Sequence, residues 1–402
     1  MRIAYVYDSI YPFFTGGAEK RFWELAVRMR RRGHDVHIFS KDPGLGQGVS
    51  MREGVTIHCI SADLPLYDGD GNRSLRQVLA FTGRIFAALK RESFDVIDCN
   101  AFPYLPFFPV RAYAALKGVP LVITWQEVWG DYWYSYLGRI KGRIARCIES
   151  AVVAAAPCSI VHSEAVRQAL TSRGKDSAFI RRIPNGIDRQ LIDGVKPAHA
   201  AQAHDIVLVA RLIRDKHADF LIRVVGRLAA DMPGLRCLIV GAGPEKDNLG
   251  RLIRETGLST HVEIRSGLGY EELISLMKAA RVFAFPSTRE GFGIVVIEAM
   301  ACGLPVVCVS HPQNAATELV SDGHNGFVCE LEEGEFASRL SMLLTDERLR
   351  TAMARCAKES VTAYDWESVV DRNEEFYKAA IARCGSACAL RVKQHRVSES
   401  SR

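Results

Sequence analysis

The sequence predicts an α/β chain of two Rossmann-like, doubly wound parallel-sheet domains, and three observations carry that expectation. Short apolar runs alternate with helix-period segments, the signature of parallel strands joined by crossover helices. The alternation stops at the turn-rich sextet Ile183-Pro184-Asn185-Gly186-Ile187-Asp188 and then restarts. Glycine-bearing turns stand at the ends of several strand-like runs, the edge on which such sheets bind ligands. With 402 residues, 48% hydrophobic and 24% charged, the chain has ordinary globular composition and the length for two domains.

The first domain is expected over 1–184. An apolar run from Ile3 to Tyr7 leads to Gly16-Gly17 and a helical pattern to about Arg32, which Gly33 closes where a left-handed cap is wanted. Strand-like runs follow at Val36–Phe39, Val55–Ile60, Val96–Asp98, Leu121–Thr124 and Ser159–His162, with the clearest helical patterns at Arg73–Arg91 and Gly138–Ala155. The second domain, 185–363, repeats the scheme more cleanly. Its strands are expected at Ile206–Ala210, Cys237–Val240, Val262–Arg265, Val282–Ala284 and Val306–Val309, with helices near 217–231, 245–256, 270–280 and 293–302. Beyond about 335 only helical patterns remain, at 335–345, 346–360 and 365–383, and 386–402 is expected to be a disordered basic tail.

Several function classes are disfavoured at once. No run of roughly 18 uninterrupted apolar residues appears, so no helix is expected to span a bilayer. The opening MRIAYVYDSI lacks the regions of a signal peptide, which makes the cytoplasm the expected compartment. Eleven cysteines without a C-x-x-C pair read as reduced, packed thiols, and no H-x-x-x-H or H-E-x-x-H pair supports a zinc site. Asp68-Gly69-Asp70 has the D-x-D form of some metal-dependent transferases but lies in a turn-rich loop and reads as a turn. Charge is uneven. Residues 1–184 hold 25 Lys and Arg against 17 Asp and Glu, and the remainder 27 against 29. The basic half therefore faces something anionic or simply carries solvated helix faces; no nucleic-acid recognition motif accompanies it.

The most informative stretch runs from Pro286 to Pro305. Gly291 and Gly293, on either side of Phe292, let backbone N–H groups face a ligand, and the helix beginning near Ile294 offers its positive end to an anion such as a diphosphate. Glu290 precedes that helix and Glu298 lies on its second turn. Two carboxylates beside a phosphate site are tolerable if they accept hydrogen bonds from neutral donors, and sugar hydroxyls are such donors, so a nucleotide sugar fits. Upstream, Arg211 and Lys216 are five apart across a loop that follows a strand, a spacing that lets a guanidinium and an ammonium converge on one diphosphate. Gly241-Ala242-Gly243-Pro244 is a strand-end turn that only partly matches a dinucleotide fingerprint.

Together, the Glu290…Glu298 element with its Gly-Phe-Gly, the Arg211…Lys216 loop, Gly241-x-Gly243-Pro244, Pro184 to Asp188 and Gly16-Gly17-Ala18-Glu19 resemble glycosyltransferase family 4, the group 1 retaining glycosyltransferases of GT-B fold. The resemblance spans roughly residues 1–383, with the motifs in the family's order. It implies metal-independent transfer of a sugar from a nucleotide-diphosphate donor, with retention at the anomeric carbon, in a cleft between the two sheets. No cofactor is implied, the nucleotide sugar being a substrate. By the same resemblance Arg211 and Lys216 neutralise the diphosphate, and Glu298 holds ribose hydroxyls. Glu290, with the amides of Gly291, Phe292, Gly293 and Ile294, orients donor sugar and phosphates. Gly16 and Gly17 close on the donor from the first domain, Leu268 lies by the base, and a helix at about 364–383 crosses back to complete the first domain.

Two departures stand out. The related subfamily often has a histidine where Gln126 stands; glutamine donates a neutral hydrogen bond but carries no proton or charge. His217 follows Lys216 where the family prefers glycine, which implies a tighter loop. Gln126 and Trp129 are expected on the acceptor or sugar side, within an aromatic cluster of Trp125, Trp129, Tyr132, Trp133, Tyr134 and Tyr136 that serves either sugar stacking, a membrane interface or ordinary packing. The basic segment Gly138–Arg146, with Arg28, Arg30, Arg31 and Arg32, is expected to face anionic lipid headgroups and a glycan or lipid-linked acceptor. Three other readings share the scaffold: a sugar-nucleotide epimerase-like enzyme, a phosphorylase, and a catalytically weak sugar-nucleotide-binding scaffold.

Overall fold

The structure is a computed structural model; it describes every residue except Thr15, Leu45, 69–72 and 400–402, and side chains as far as Cys384. The chain divides into two compact units, residues 1–184 together with the chain from Trp366 onward, and Asn185–Asp365. In the first unit the order is β1 (Arg2–Val6), α1 (Gly17–Arg31), β2 (Asp35–Lys41), β3 (Gly48–Arg52), β4 (Val55–Ser61), α2 (Leu75–Leu89), β5 (Val96–Asn100), α3 (Phe107–Lys117), β6 (Leu121–Trp125), α4 (Tyr132–Ala155), β7 (Cys158–Val161), α5 (Glu164–Thr171) and β8 (Ile180–Arg182). The second unit follows with α6 (Arg189–Gly194), β9 (Ile206–Val209), α7 (Ala218–Ala229), β10 (Cys237–Val240), α8 (Lys246–Glu255), β11 (Val262–Arg265), α9 (Tyr270–Lys278), β12 (Val282–Phe285), α10 (Ile294–Ala301), β13 (Val306–Val309), β14 (Gly326–Cys329), α11 (Glu333–Thr345) and α12 (Glu347–Ser360). The last helix, α13 (Trp366–Glu399), belongs to the first unit.

The first sheet runs β3-β4-β2-β1-β5-β6-β7-β8 and is parallel except for β3, which pairs antiparallel with β4. Side chains alternate across a strand, so β1 feeds two cores. Ile3 and Tyr5 join Phe22, Trp23 and Leu25 of α1 on one face, while Ala4 and Val6 join Phe81 and Ile85 of α2 on the other. The same α1 face receives Trp366, Val369, Val370 and Tyr377 of α13, so the last helix completes the layer begun by the first. The second sheet runs β11-β10-β9-β12-β13-β14, all parallel, around a single core.

Both sheets reverse direction at a central strand. The chain steps from β9 outward to β10 and β11, then returns to the other side of β9 with β12. The loops leaving β9 and β12 diverge there, which opens a crevice at the carboxyl edge. In the first unit, β1 plays the same part between β2 and β5.

The structure adds elements that periodicity does not signal. Strand β3 is exposed along its whole length and so lacks an apolar pattern. β8 and β14 are three and four residues long, and the second sheet has six strands where five are expected. Helices α5 and α6 are likewise additional. The helix expected from Gly138 starts at Tyr132, with Gly138 at φ 75° as a kink inside it. Of the tail expected to be disordered over 386–402, the chain as far as Glu399 continues α13, and 400–402 lie outside the described residues. Each of the ten cysteines whose side chains are described is a free thiol, and among the described residues no helix is long and apolar enough to cross a membrane.

Candidate functional site

The crevice of the second unit gathers the charged residues of the motif stretch. After β9 the chain makes a short turn, Arg214–Lys216, and enters α7 through His217, whose φ of 49° and ψ of 42° are left-handed. This is the conformation that glycine adopts without steric cost and a histidine only with strain. The His217 ring is anchored on Thr288, Nε2 lying 3.0 Å from Oγ1, and burial lowers its pKa. The turn aims Lys216 across to the loop after β12. There Nζ donates to the Glu290 carboxylate, to the Arg289 carbonyl at 2.7 Å and to Ser287 Oγ at 3.3 Å. Both side chains keep some solvent access, 14% for Lys216 and 19% for Glu290.

The loop carrying Glu290 is pinned from below. Glu290 N–H donates to the Gln313 carbonyl at 2.9 Å, and Ala315 N–H returns a bond to the Glu290 carbonyl at 2.9 Å. Buried Asn314 donates to the carbonyls of Ser287 (2.9 Å) and Val309 (2.8 Å), tying the loop to the end of β13. Four residues after Glu290, α10 begins behind Gly293 at φ 93°, with no side chain capping its first amides. Those amides and the helix dipole are suited to an anion. The Phe292 ring is buried and meets Tyr364 edge-on at 5.8 Å. Glu298, 6% exposed, accepts from Tyr270 Oη at 2.9 Å.

Gly241 and Gly243 end β10 against the Arg211 loop. A Cβ on Gly241 would lie 1.9 Å from the Ala210 carbonyl oxygen, and one on Gly243 2.3 Å from that of Leu212. Leu212 N–H donates to the Ala242 carbonyl at 2.8 Å, and Glu245 N–H to the Leu212 carbonyl at 3.0 Å. The glycines are thus needed for close backbone approach, which seats the loop bearing exposed Arg211. Leu268 lies in the turn after β11, half-buried.

In the first unit Gly16 precedes α1 and Gly17 opens it. Glu19 folds back so closely that a Cβ on Gly16 would lie 2.1 Å from Oε2, and its Oε1 accepts from Tyr7 Oη (3.0 Å) and Ser9 Oγ (2.7 Å). Asp8 beside them is fully buried and paired with Arg73. Half-buried Gln126 donates from Nε2 to Asn100 Oδ1 at 3.3 Å. Trp129 stacks on Phe102 at 5.0 Å, and its N–H goes to Glu149. Fully buried Glu149 organises the aromatic cluster, accepting from Trp129 N (2.8 Å), Gly130 N (2.9 Å), Tyr104 Oη (2.8 Å) and Trp133 Nε1 (3.1 Å). Trp125 is also buried, its Nε1 on Ser159 Oγ at 3.2 Å. For Trp125 and Trp133 the cluster is therefore core.

The expected cationic face is corrected too. Arg28 is buried with Glu24 and over the Trp366 ring, and Arg32 pairs with Glu367 (2.7 Å), Asp371 (2.6 Å) and Glu374 (3.2 Å). Acidic residues of α13 neutralise the end of α1, although they lie more than 300 positions away in sequence. Among the described residues, His37, His58 and Glu92 bring their ligand atoms within 4.8 Å of one another, but the Arg2 guanidinium already lies against Glu92 at 2.7 Å and His37 at 3.3 Å. Asp68 is exposed, and Gly69 and Asp70 lie outside the described residues.

Sequence reasoning missed Asn314, Tyr270, Glu149 and the Asp8–Arg73 pair. Glu149, a lone acid amid Ile148 and Val152-Val153, carried a signal; the others carried none.

Residues 194–360 match the family Glycosyl transferases group 1, and residues 16–186 match the Glycosyl transferase 4-like domain. The D-inositol 3-phosphate glycosyltransferase of Corynebacterium urealyticum is 29% identical over 409 residues, covering 91% of each chain. Sucrose-phosphate synthase from Thermosynechococcus elongatus superposes with a TM-score of 0.81 at 21% identity, over 95% of this chain and 99% of its own. Anabaena HepE, solved with UDP and glucose, gives 0.74 at 21% identity over 94% and 100%. With both of its units matched in order and the two-sheet architecture shared, the chain belongs to the group 1 glycosyltransferases of family 4, enzymes of GT-B fold.

Proposed function

We propose that this glycosyltransferase moves a sugar, with retention of anomeric configuration and without a metal ion, from a nucleotide-diphosphate donor to a hydroxyl of a glycan or lipid-linked acceptor in cell-surface polysaccharide or glycolipid assembly. The observation that carries the reading is the convergence of Lys216, Glu290 and the uncapped start of α10 at one crevice. Breaking the sugar–phosphate bond builds negative charge on the leaving diphosphate, and fixed cations and amides act where that charge accumulates. Lys216, Arg211 and the amides from Gly291 to Ile294 supply them; with a lysine, an arginine and a helix terminus available, the role of a metal is filled by the chain. Glu290 accepts from donor-sugar hydroxyls, so substrate binding exchanges part of the Lys216–Glu290 pair for diphosphate–Lys216 and hydroxyl–Glu290 contacts. A leaving phosphate oxygen takes the acceptor's proton, so no side-chain base is assigned. UDP in the HepE structure supports a nucleotide donor.

The same proposal places the acceptor side at the cytoplasmic face of an anionic membrane. Supporting it, α4 exposes Ile140 (80%) and Ile144 (58%) among Arg139, Lys141 and Arg143, and α2 exposes Leu75 and Leu79 beside Arg76 and Arg84. Neither helix carries an exposed carboxylate, and Tyr136 Oη accepts from Arg73 N–H at 2.9 Å, joining their starts. Apolar side chains ringed by cations suit an anionic interface, at about 1 kcal/mol per cation.

The test is incubation with UDP-, GDP- and ADP-sugars, reading donor hydrolysis or transfer and the anomeric configuration of the product by NMR, in EDTA. Inversion, or loss of turnover in EDTA, sinks the mechanism; no turnover with any donor sinks the reading. Separately, co-sedimentation with phosphatidylglycerol vesicles should exceed that with phosphatidylcholine and fall in the double variant Ile140→Glu/Ile144→Glu. Equal binding to both vesicles removes the membrane from the proposal and leaves the donor chemistry standing.

A further inference from the structure

We infer that His217 is a positioning residue for Lys216: its ring, hydrogen-bonded to Thr288, fixes the direction in which the ammonium leaves the turn between β9 and α7. The inference rests on the donor reading above, in which Lys216 meets the diphosphate. Residue and backbone conflict at this position. Among the described residues only Glu53 and His217 combine a side chain with a positive φ, and His217 stands at φ 49° and ψ 42°. A glycine would hold the same backbone without strain; what the histidine adds is a ring that reaches Thr288, with Nε2 3.0 Å from Oγ1. The Thr288 hydroxyl donates to the Asp215 carbonyl at 3.4 Å, which assigns the proton of the ring contact to Nε2. Burial lowers the ring pKa, in keeping with a neutral imidazole that donates from one nitrogen.

The contacts bracket Lys216 on both sides. Before it, the Asp215 carbonyl accepts from Thr288 N–H at 3.0 Å and lies 3.3 Å from Ser287 Oγ. After it, His217 holds Thr288 through the ring, and its carbonyl accepts from Leu221 N–H at 3.2 Å in the first turn of α7. The Lys216 backbone is thereby held against the loop that follows β12, and only the flexible four-carbon stem remains to be ordered. With glycine at 217 the second bracket would lose its hold on that loop. Neither bracket uses Glu290. A diphosphate that draws Nζ away from the Glu290 carboxylate therefore leaves both in place, and the ammonium stays aimed where the leaving charge develops.

The test measures kcat and donor KM of the full chain with the most active of the UDP-, GDP- and ADP-sugars, for His217→Gly, His217→Gln and Thr288→Val, each alone and combined with Lys216→Ala. His217→Gly relieves the backbone and removes the ring. Its kcat should fall about ten-fold, the scale of a misaimed catalytic group, with KM within about two-fold of wild type. Thr288→Val removes the other half of the contact and should match it, and the double variant should be no worse than the poorer single. His217→Gln puts an amide nitrogen where Nε2 stands and should keep most of the wild-type kcat. In the Lys216→Ala background the same substitutions should change kcat by less than about two-fold, because they act through the lysine. An equal loss in both backgrounds, a His217→Gly enzyme as fast as wild type, or a His217→Gln enzyme no faster than His217→Gly would overturn the inference while the donor reading stood. If Lys216→Ala is as active as wild type, or if no donor turns over, the donor reading itself falls and takes this inference with it.

Discussion

The two sheets reverse at equivalent places, β1 in the first unit and β9 in the second, and the charged residues gathered near each serve different ends. In the second unit, Lys216 and Glu290 meet at the crevice with solvent still reaching both, beside a helix start left uncapped. In the first, Asp8 is sealed against Arg73, Glu19 against Tyr7 and Ser9, and Asp98 is buried, accepting from Tyr377 Oη at 2.6 Å and Thr124 Oγ1 at 2.7 Å, with burial pushing its pKa up to about 6. Buried polar groups of the second kind hold a fold together, and reachable ones can exchange partners with a ligand. The net charge follows the same division. With α13 counted where it packs, the first unit holds 32 Lys and Arg against 22 Asp and Glu, and the second 20 against 24. Yet Arg28 and Arg32, which look free in sequence, are already paired, whereas Arg76 and Arg84 of α2 and Arg139, Lys141 and Arg143 of α4 are exposed.

This contrast can be tested by removing one group of each kind. The largest effect is expected from Glu149→Ala, which leaves Trp129 N, Gly130 N, Tyr104 Oη and Trp133 Nε1 without their acceptor and should cost about 4 kcal/mol of stability in urea unfolding. A loss below about 1 kcal/mol would show that the aromatic cluster holds itself. Next, Lys216→Ala should lower kcat/KM by the equivalent of about 2–4 kcal/mol, with melting little changed, because its charge acts on the reaction more than on the fold. An unchanged kcat/KM would take the lysine out of the mechanism. The smallest effect concerns acid. Burial, with His37 alongside, holds the His58 pKa down to about 4 in the folded protein, against 6.5 for the free side chain. The unfolded chain therefore binds the extra proton between those values. The stability of the first unit is full above pH 6.5 and declines as pH falls towards 4, by about 2 kcal/mol. His58→Phe should flatten that part of the pH–stability curve. A slope identical to wild type would assign acid sensitivity elsewhere.

How much was legible differs between the units for the same reason. The Lys216 loop, Glu290, Glu298 and Gly293 lie in short segments whose spacing already implies a strand end, a tight turn and a helix start, and the fold adds only that β9 and β12 are neighbours. Phe292 shows the limit: spacing places its amide but not its ring, which packs against Tyr364, 72 positions on. In the first unit, the fates of Arg32, Trp125 and Trp133 depend on residues that no local pattern announces, and only Glu149, an acid among apolar neighbours, carries a local signal.

By itself the sequence determined the two α/β domains, their boundary near Pro184 and the loops that follow β9 and β12, because hydrophobic period, glycine turns and charge spacing act over a few residues. The tertiary structure alone decided which charges are available. Burial and pairing are set by residues brought together across the chain, as Arg32 is with Glu367, and a charge's influence depends on whether water or a partner surrounds it. The same physics leaves Lys216 with Glu290 within reach of solvent, while Asp8 with Arg73 is closed off from it.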